Sequence, residues 1–162
     1  MTVQASYSTT HAAAYAGMIA DQQLLNTVSK VNTEVSATIE YGKGVVRDGE
    51  NGAKLPTSGS VTADFVGVVM RELNRAYADG ATFGAPVDTD LTAVTSGGIW
   101  VKSASDGVVP GEAAFLRVGA TNTGDFANAA GSSGTLSVAI TGKFLTAGDT
   151  GDLVKLSLVI GG

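Results

Sequence analysis

The chain has 162 residues, with ten Lys or Arg against fifteen Asp or Glu and a formal net charge of −5. Twenty-two glycines, no cysteine and a charged fraction of 15% exclude disulfides, thiolate metal sites, thiol nucleophiles, a coiled coil and a charge-rich disordered tail. No cluster of Lys and Arg is present to neutralise phosphates, so no nucleic-acid partner is expected.

The first zone, residues 1–34, is rich in Thr, Ala, Gln and Asn and holds a single glycine, Gly17. It reads as an N-terminal arm ahead of a β domain spanning 35–162. The longest early apolar run, 12–20, is about half of the roughly 20 residues a membrane span needs, so no membrane partner is expected. No basic residue precedes Lys30, and the positive region of a secretory signal is therefore missing. The chain reads as soluble and unprocessed. Ser8, Thr9 and Thr10 are helix N-cap types, and Ala12, Tyr15, Ala16 and Ile19 would share one helical face. Gly17 in mid-helix costs about 1 kcal/mol against alanine. A short helix and an extended arm are the two competing readings.

From residue 35 onward the pattern is that of strands. Val35, Ala37, Ile39 and Tyr41 alternate with Ser36, Thr38 and Glu40, as in a strand with one wet face. The runs 65–70 and 98–102 are short and apolar, with β-branched or aromatic members. Residues 87–94 and 113–118 read as strands too. Leu136, Val138 and Ile140 alternate with polar neighbours, and Val154, Leu156, Leu158 and Ile160 direct one face to a core. Asp48-Gly49, Asn51-Gly52, Asp79-Gly80, Asp106-Gly107, Pro110-Gly111 and Gly148-Asp149-Thr150-Gly151 supply tight turns between them. Seven or eight strands so spaced predict an all-β fold, an antiparallel β-barrel or a jelly-roll-like sandwich.

Little in the chain suggests chemistry. His11 is the sole histidine, it lies in the arm, and no Gly-x-Ser-x-Gly elbow accompanies it. Asp88 and Asp90 would share a strand face and could offer two carboxylates to a cation; a solvated strand face is the simpler reading, as it is for Asp149 and Asp152. Gly42-Lys43-Gly44 lacks the Walker spacing of a phosphate loop. Trp100, between Ile99 and Val101, reads as a core residue. No catalytic residue, metal or cofactor is expected. What remains is an apolar segment, residues 2–28, with no obvious place in a β core of its own. Large exposed apolar patches are rare on soluble monomers, so this segment is expected to lie on a neighbouring subunit or a partner.

The run Ser6-Tyr7-Ser8-Thr9-Thr10-His11-Ala12-Ala13-Ala14-Tyr15-Ala16-Gly17-Met18-Ile19-Ala20-Asp21 resembles the N-terminal signature of the tailed-bacteriophage head decoration proteins, the structural cement family. Residues 98–102 and 106–116 are similar to the same family's strand, Gly/Pro turn and following strand. The resemblance implies a non-enzymatic virion protein on the outer surface of the capsid, made in the host cytoplasm. It implies that the major capsid protein is the partner, with the cement protein often a homotrimer bridging its subunits. Tyrosine and methionine favour interface cores, so the contact is expected on Tyr7, His11, Tyr15, Met18, Ile19, Leu24 and Leu25. For Tyr15 and Ile19 the alternative is docking on their own barrel. Other readings are a tail-tube or tail-associated virion protein, a host-surface adhesive module, and a small hydrolase or carbohydrate-binding domain. The last lacks a placed His/carboxylate pair and has one tryptophan where sugar platforms use several aromatics.

Overall fold

The computed structural model describes residues 14–21, 24–75, 77 and 81–158. Within them the chain is almost entirely strand and turn. In chain order the strands are β1 (Asn26–Asn32), β2 (Ile39–Glu40), β3 (Gly44–Asp48), β4 (Gly52–Lys54), β5 (Phe65–Val69), β6 (Gly84–Ala85), β7 (Asp90–Lys102), β8 (Ala113–Arg117), β9 (Phe126–Ala127), β10 (Ser137–Phe144) and β11 (Leu153–Leu158). The two helical pieces are single 3-10 turns, Thr62–Asp64 and Ser133–Thr135.

The architecture follows from the length of β7. Its 13 residues serve two walls in succession. The first half pairs with β1 on one side and with β5 on the other. Because β5 leads through β3 and β4 back to β1, these five strands close a barrel. The second half pairs with β11, from which the sheet continues through β10 and β8 to β9. An isolated bridge from Ser103 to Phe126, with the Ala104 N–H on the Phe126 carbonyl at 2.7 Å, returns β9 to the end of β7. The strand pairings are antiparallel apart from β1–β4. The protein is an all-β barrel.

A β-bulge lets one strand feed both walls. The β1–β7 register slips between Asn26, opposite Ser96, and Thr27, opposite Val94, leaving Thr95 as the extra residue. Gly97 follows at φ +122°, a conformation that disfavours a Cβ. Side chains alternate along a strand, so a one-residue insertion moves the core-facing set from even to odd numbers. Val94, Ile99 and Val101 consequently share one core with Leu116, Phe126, Phe144, Val154 and Leu156. A smaller core inside the first wall holds Ile39, Tyr41, Val45, Ala53, Val69, Leu91 and Ala93. Phe126, Phe144, Leu116 and Leu156 are fully buried, each worth about 1.5–3 kcal/mol in removed apolar surface.

Several expectations are revised. Asn26–Asn32 is a strand of the sheet, although the sequence groups it with the arm at 1–34. The alternation at 35–41 yields only β2, since its one partner, β6, is two residues long; Val35 is 94% exposed. Runs 87–94 and 98–102 merge into β7 because the Thr95-Ser96-Gly97 stretch is a bulge and not a break. Asn51-Gly52 does not turn the chain at Gly52, which lies within β4. The stretch 14–21 is not helical: it turns at Ala16-Gly17, where the Met18 N–H donates to the Tyr15 carbonyl at 3.1 Å, and then runs on to a bridge at Ile19.

Candidate functional site

Residues 14–21 run along the second half of β7, on the edge opposite β11. Ile19 bridges Ile99 in antiparallel register. The Gly17 N–H donates to the Trp100 carbonyl at 2.7 Å, the Trp100 N–H to the Met18 carbonyl at 2.8 Å, and the Ala20 N–H to the Gly98 carbonyl at 2.8 Å. Arg71, just past β5, donates its N–H to the Gly17 carbonyl at 2.8 Å. The segment thus covers a sheet edge that would otherwise leave backbone groups unpaired.

Gly17 explains why the chain turns here instead of continuing as a helix. It adopts φ +80° and presses on Gly42, at φ +82°, where the turn after β2 passes beneath it. A Cβ on Gly17 would stand 2.9 Å from the Gly42 nitrogen and the Val69 carbonyl oxygen. One on Gly42 would stand 2.8 Å from the Ala16 Cβ. Only two glycines permit so close a crossing. At the segment's end, the Asp21 carboxylate accepts from Lys155 Nζ at 3.3 Å, and that ammonium stands 5.4 Å from the centre of the Trp100 ring. Trp100, expected in the core, is therefore half-buried on the outward face of β7.

What the segment buries is mostly Ala14 and its own backbone; its larger side chains face outward. Tyr15, Met18 and Ile19 are exposed, and with Met70, Arg71 and Leu73 they line an open groove of about 490 Å³. The Arg71 guanidinium lies 4.4 Å over the centre of the Tyr15 ring, a cation–π contact of about 0.5–1 kcal/mol at such an exposed place. Leu73, 86% exposed, forms the far wall.

The predicted contact residues separate into three sets. Tyr15, Met18 and Ile19 meet in the groove. Leu24 is 94% exposed without lining it, whereas Leu25 packs on the larger core. Tyr7 and His11 lie outside the described residues. The expectation that residues 2–28 lie on another molecule is corrected for 14–21 and 26–28: their backbone bonds are made at home, on β7, Ala14 and Val28 pack inward, and Tyr15, Met18 and Ile19 are left facing outward. Met70, Arg71 and Leu73 were not predicted. Their signal was the Met-Arg-x-Leu sequence that breaks the apolar run of β5.

The other charged groups have structural duties. Lys43 Nζ pairs with the buried Asp125 carboxylate at 2.9 Å and donates to the Thr123 carbonyl at 3.0 Å, tying the small-residue loop before β9 to the start of β3. Burial pushes the Asp125 carboxyl above the usual aspartate range, against the opposing pull of Lys43. Buried Arg117 donates Nη2 to the Ala104 carbonyl at 2.8 Å and Nη1 to that of Thr135. Asp88 and Asp90 do not share a strand face, because Asp88 sits at φ +57° in a turn. Asp90 instead opens β7 and pairs with Arg75 at 3.3 Å. Asp149 accepts the Gly107 N–H at 2.9 Å and Asp106 that of Thr150 at 3.0 Å, stapling the β7–β8 loop to the β10–β11 hairpin loop.

A closed barrel with an apolar groove on one edge, its buried charges committed to internal pairs, has the build of a protein that works by contact. Comparison with known proteins identifies the kind. The family model described as structural cement protein (E217 gp24/Pam3 gp6), a phage family, matches residues 3–159, and the chain belongs to that family. A solved chain from the capsid of Myoviridae phage XM1 shares the fold with a TM-score of 0.74 over 99% of each chain, at 15% identity. Among curated proteins, none matches. The family implies a structural role in a phage capsid.

Proposed function

We propose that this protein binds the outer surface of a phage head and bridges neighbouring major capsid protein subunits, without catalysing any reaction. The observation that carries the reading is the outward-facing groove formed by the docked N-terminal segment with Met70, Arg71 and Leu73. A contact that removes about 300 Å² of apolar surface from water yields about 7 kcal/mol at ~25 cal/mol/Å², before association costs are subtracted. One such contact is weak. Three on a homotrimer make the later ones intramolecular, and avidity then exceeds single-site affinity by roughly 10²–10⁴. A ligand that binds the assembled shell and not free subunits stabilises the shell by mass action.

The test is to size the purified protein and add it to expanded heads of its phage that lack it. The expected result is a trimer that saturates the heads and raises the temperature at which they open. Stacked rings or hexamers that ignore heads would favour the tail-tube reading instead.

A further inference from the structure

Resting on that reading, we propose that the groove takes an apolar segment of the major capsid protein that carries an acidic side chain, whose carboxylate Arg71 binds. The walls are apolar: Tyr15, Met18, Ile19, Met70 and Leu73. Arg71 is the single cation among the residues lining the groove, in a chain of net charge −5. Lys43, Lys54, Arg75, Lys102 and Lys155 each pair with a carboxylate of their own chain. Arg71 has no such partner among the described residues; Lys30, Arg47, Arg117 and Lys143 share that lack, but none of them lines the groove.

Its geometry suits the task. The guanidinium face rests on the Tyr15 ring, and stacking occupies the face while leaving the N–H edges free. Those edges form the planar fork that grips a carboxylate with two parallel hydrogen bonds. The Arg71 backbone N–H is bonded to the Gly17 carbonyl, which fixes its main chain beside the groove, and the Tyr15 ring is what holds the guanidinium there. The chain's own leader cannot supply the acid: residues 1–13 contain no Asp or Glu, and residues 22 and 23 are both Gln. Apolar walls with one oriented guanidinium, without a carboxylate partner among the described residues, fit an apolar segment bearing one carboxylate.

The experiment measures binding of the intact protein and of Arg71→Glu, Arg71→Gln, Arg71→Lys and Leu73→Ser variants to heads lacking the protein, by co-sedimentation at low and high salt. Oligomer size and melting temperature of each free protein are recorded alongside. Leu73 is exposed and Arg71 lies outside both cores, so the variants should melt with the intact protein. The expected result is at least a tenfold loss of affinity for Arg71→Glu and Leu73→Ser. Arg71→Gln should lose affinity and much of its salt dependence, while Arg71→Lys retains part of both. Equal head binding by every folded variant would overturn the groove proposal and leave the cement reading standing. Failure of the intact protein to bind heads would instead remove that reading. A change in oligomer size with head binding per protomer unchanged would show that a second copy fills the groove, and would overturn the proposal as well.

Discussion

Two segments near the N-terminus use the same strand in different ways. β1 runs along the first half of β7 with six paired positions and closes the barrel. Residues 14–21 run along the second half with one bridge and a few backbone bonds. β1 is anchored at its end by Asn32, which is fully buried. Its Nδ2 donates to the Ala37 and Ala85 carbonyls at 3.1 and 2.8 Å, and its Oδ1 accepts the Glu34 N–H at 2.9 Å. The earlier segment has no buried polar anchor of that kind; it is held by backbone bonds, the contact of two glycines, buried Ala14 and the partly exposed Asp21–Lys155 pair, with Tyr15, Met18 and Ile19 facing away. The lesson is that an edge segment can be fastened largely through its main chain, which frees its larger apolar side chains for a partner.

The largest effect is expected at the β1 anchor. Asn32→Ala removes the side-chain partner of the buried Ala85 carbonyl and of the part-buried Ala37 carbonyl and Glu34 N–H, and should cost about 3 kcal/mol in chemical denaturation. Gly17→Ala comes next. An L side chain at positive φ costs about 1–2 kcal/mol, and the backbone beneath it cannot yield. Hydrogen exchange should then show lost protection of the Trp100 amide, which bonds Met18, with the β1–β7 amides unchanged. If both sets lose protection together, the two segments form one cooperative unit and the contrast fails.

A smaller effect concerns Asp125, which joins the two walls through Lys43. Burial raises its proton affinity in the folded state, so the folded protein holds more protons than the unfolded chain in the window above the ordinary aspartate value of about 3.9. Stability from this group therefore falls as pH rises through that window. Asp125→Asn should make the change of stability with pH more positive there, measured by denaturation at successive pH values. Asp21→Asn, which removes the partly exposed pair with Lys155, should cost under about 1 kcal/mol.

Much of this was legible in the sequence. Residues 65–70, 113–118 and 154–158 read as strands because their apolar residues are continuous or alternate against a real core. The 35–41 alternation misled because periodicity records which side chains are apolar, not whether a partner strand exists. Runs 87–94 and 98–102 read as two strands, since a bulge and a turn use the same residue type, here Gly97. β9 left no periodic signal in two residues, and the burial of Asp125 and Phe126 depends on Lys43 and on strands distant in sequence. In the groove, Tyr15, Met18 and Ile19 stood out as apolar residues with no core to enter. Arg71 and Leu73 lie more than fifty positions onward, and only the Gly17–Gly42 crossing brings them alongside.

The most direct test of attachment through the docked segment is to delete residues 1–21, leaving β1 intact, and to measure co-sedimentation of the folded truncation with heads lacking the protein. The account predicts that the truncation keeps its barrel and loses the heads. A folded truncation that still decorates heads to the same level would contradict it.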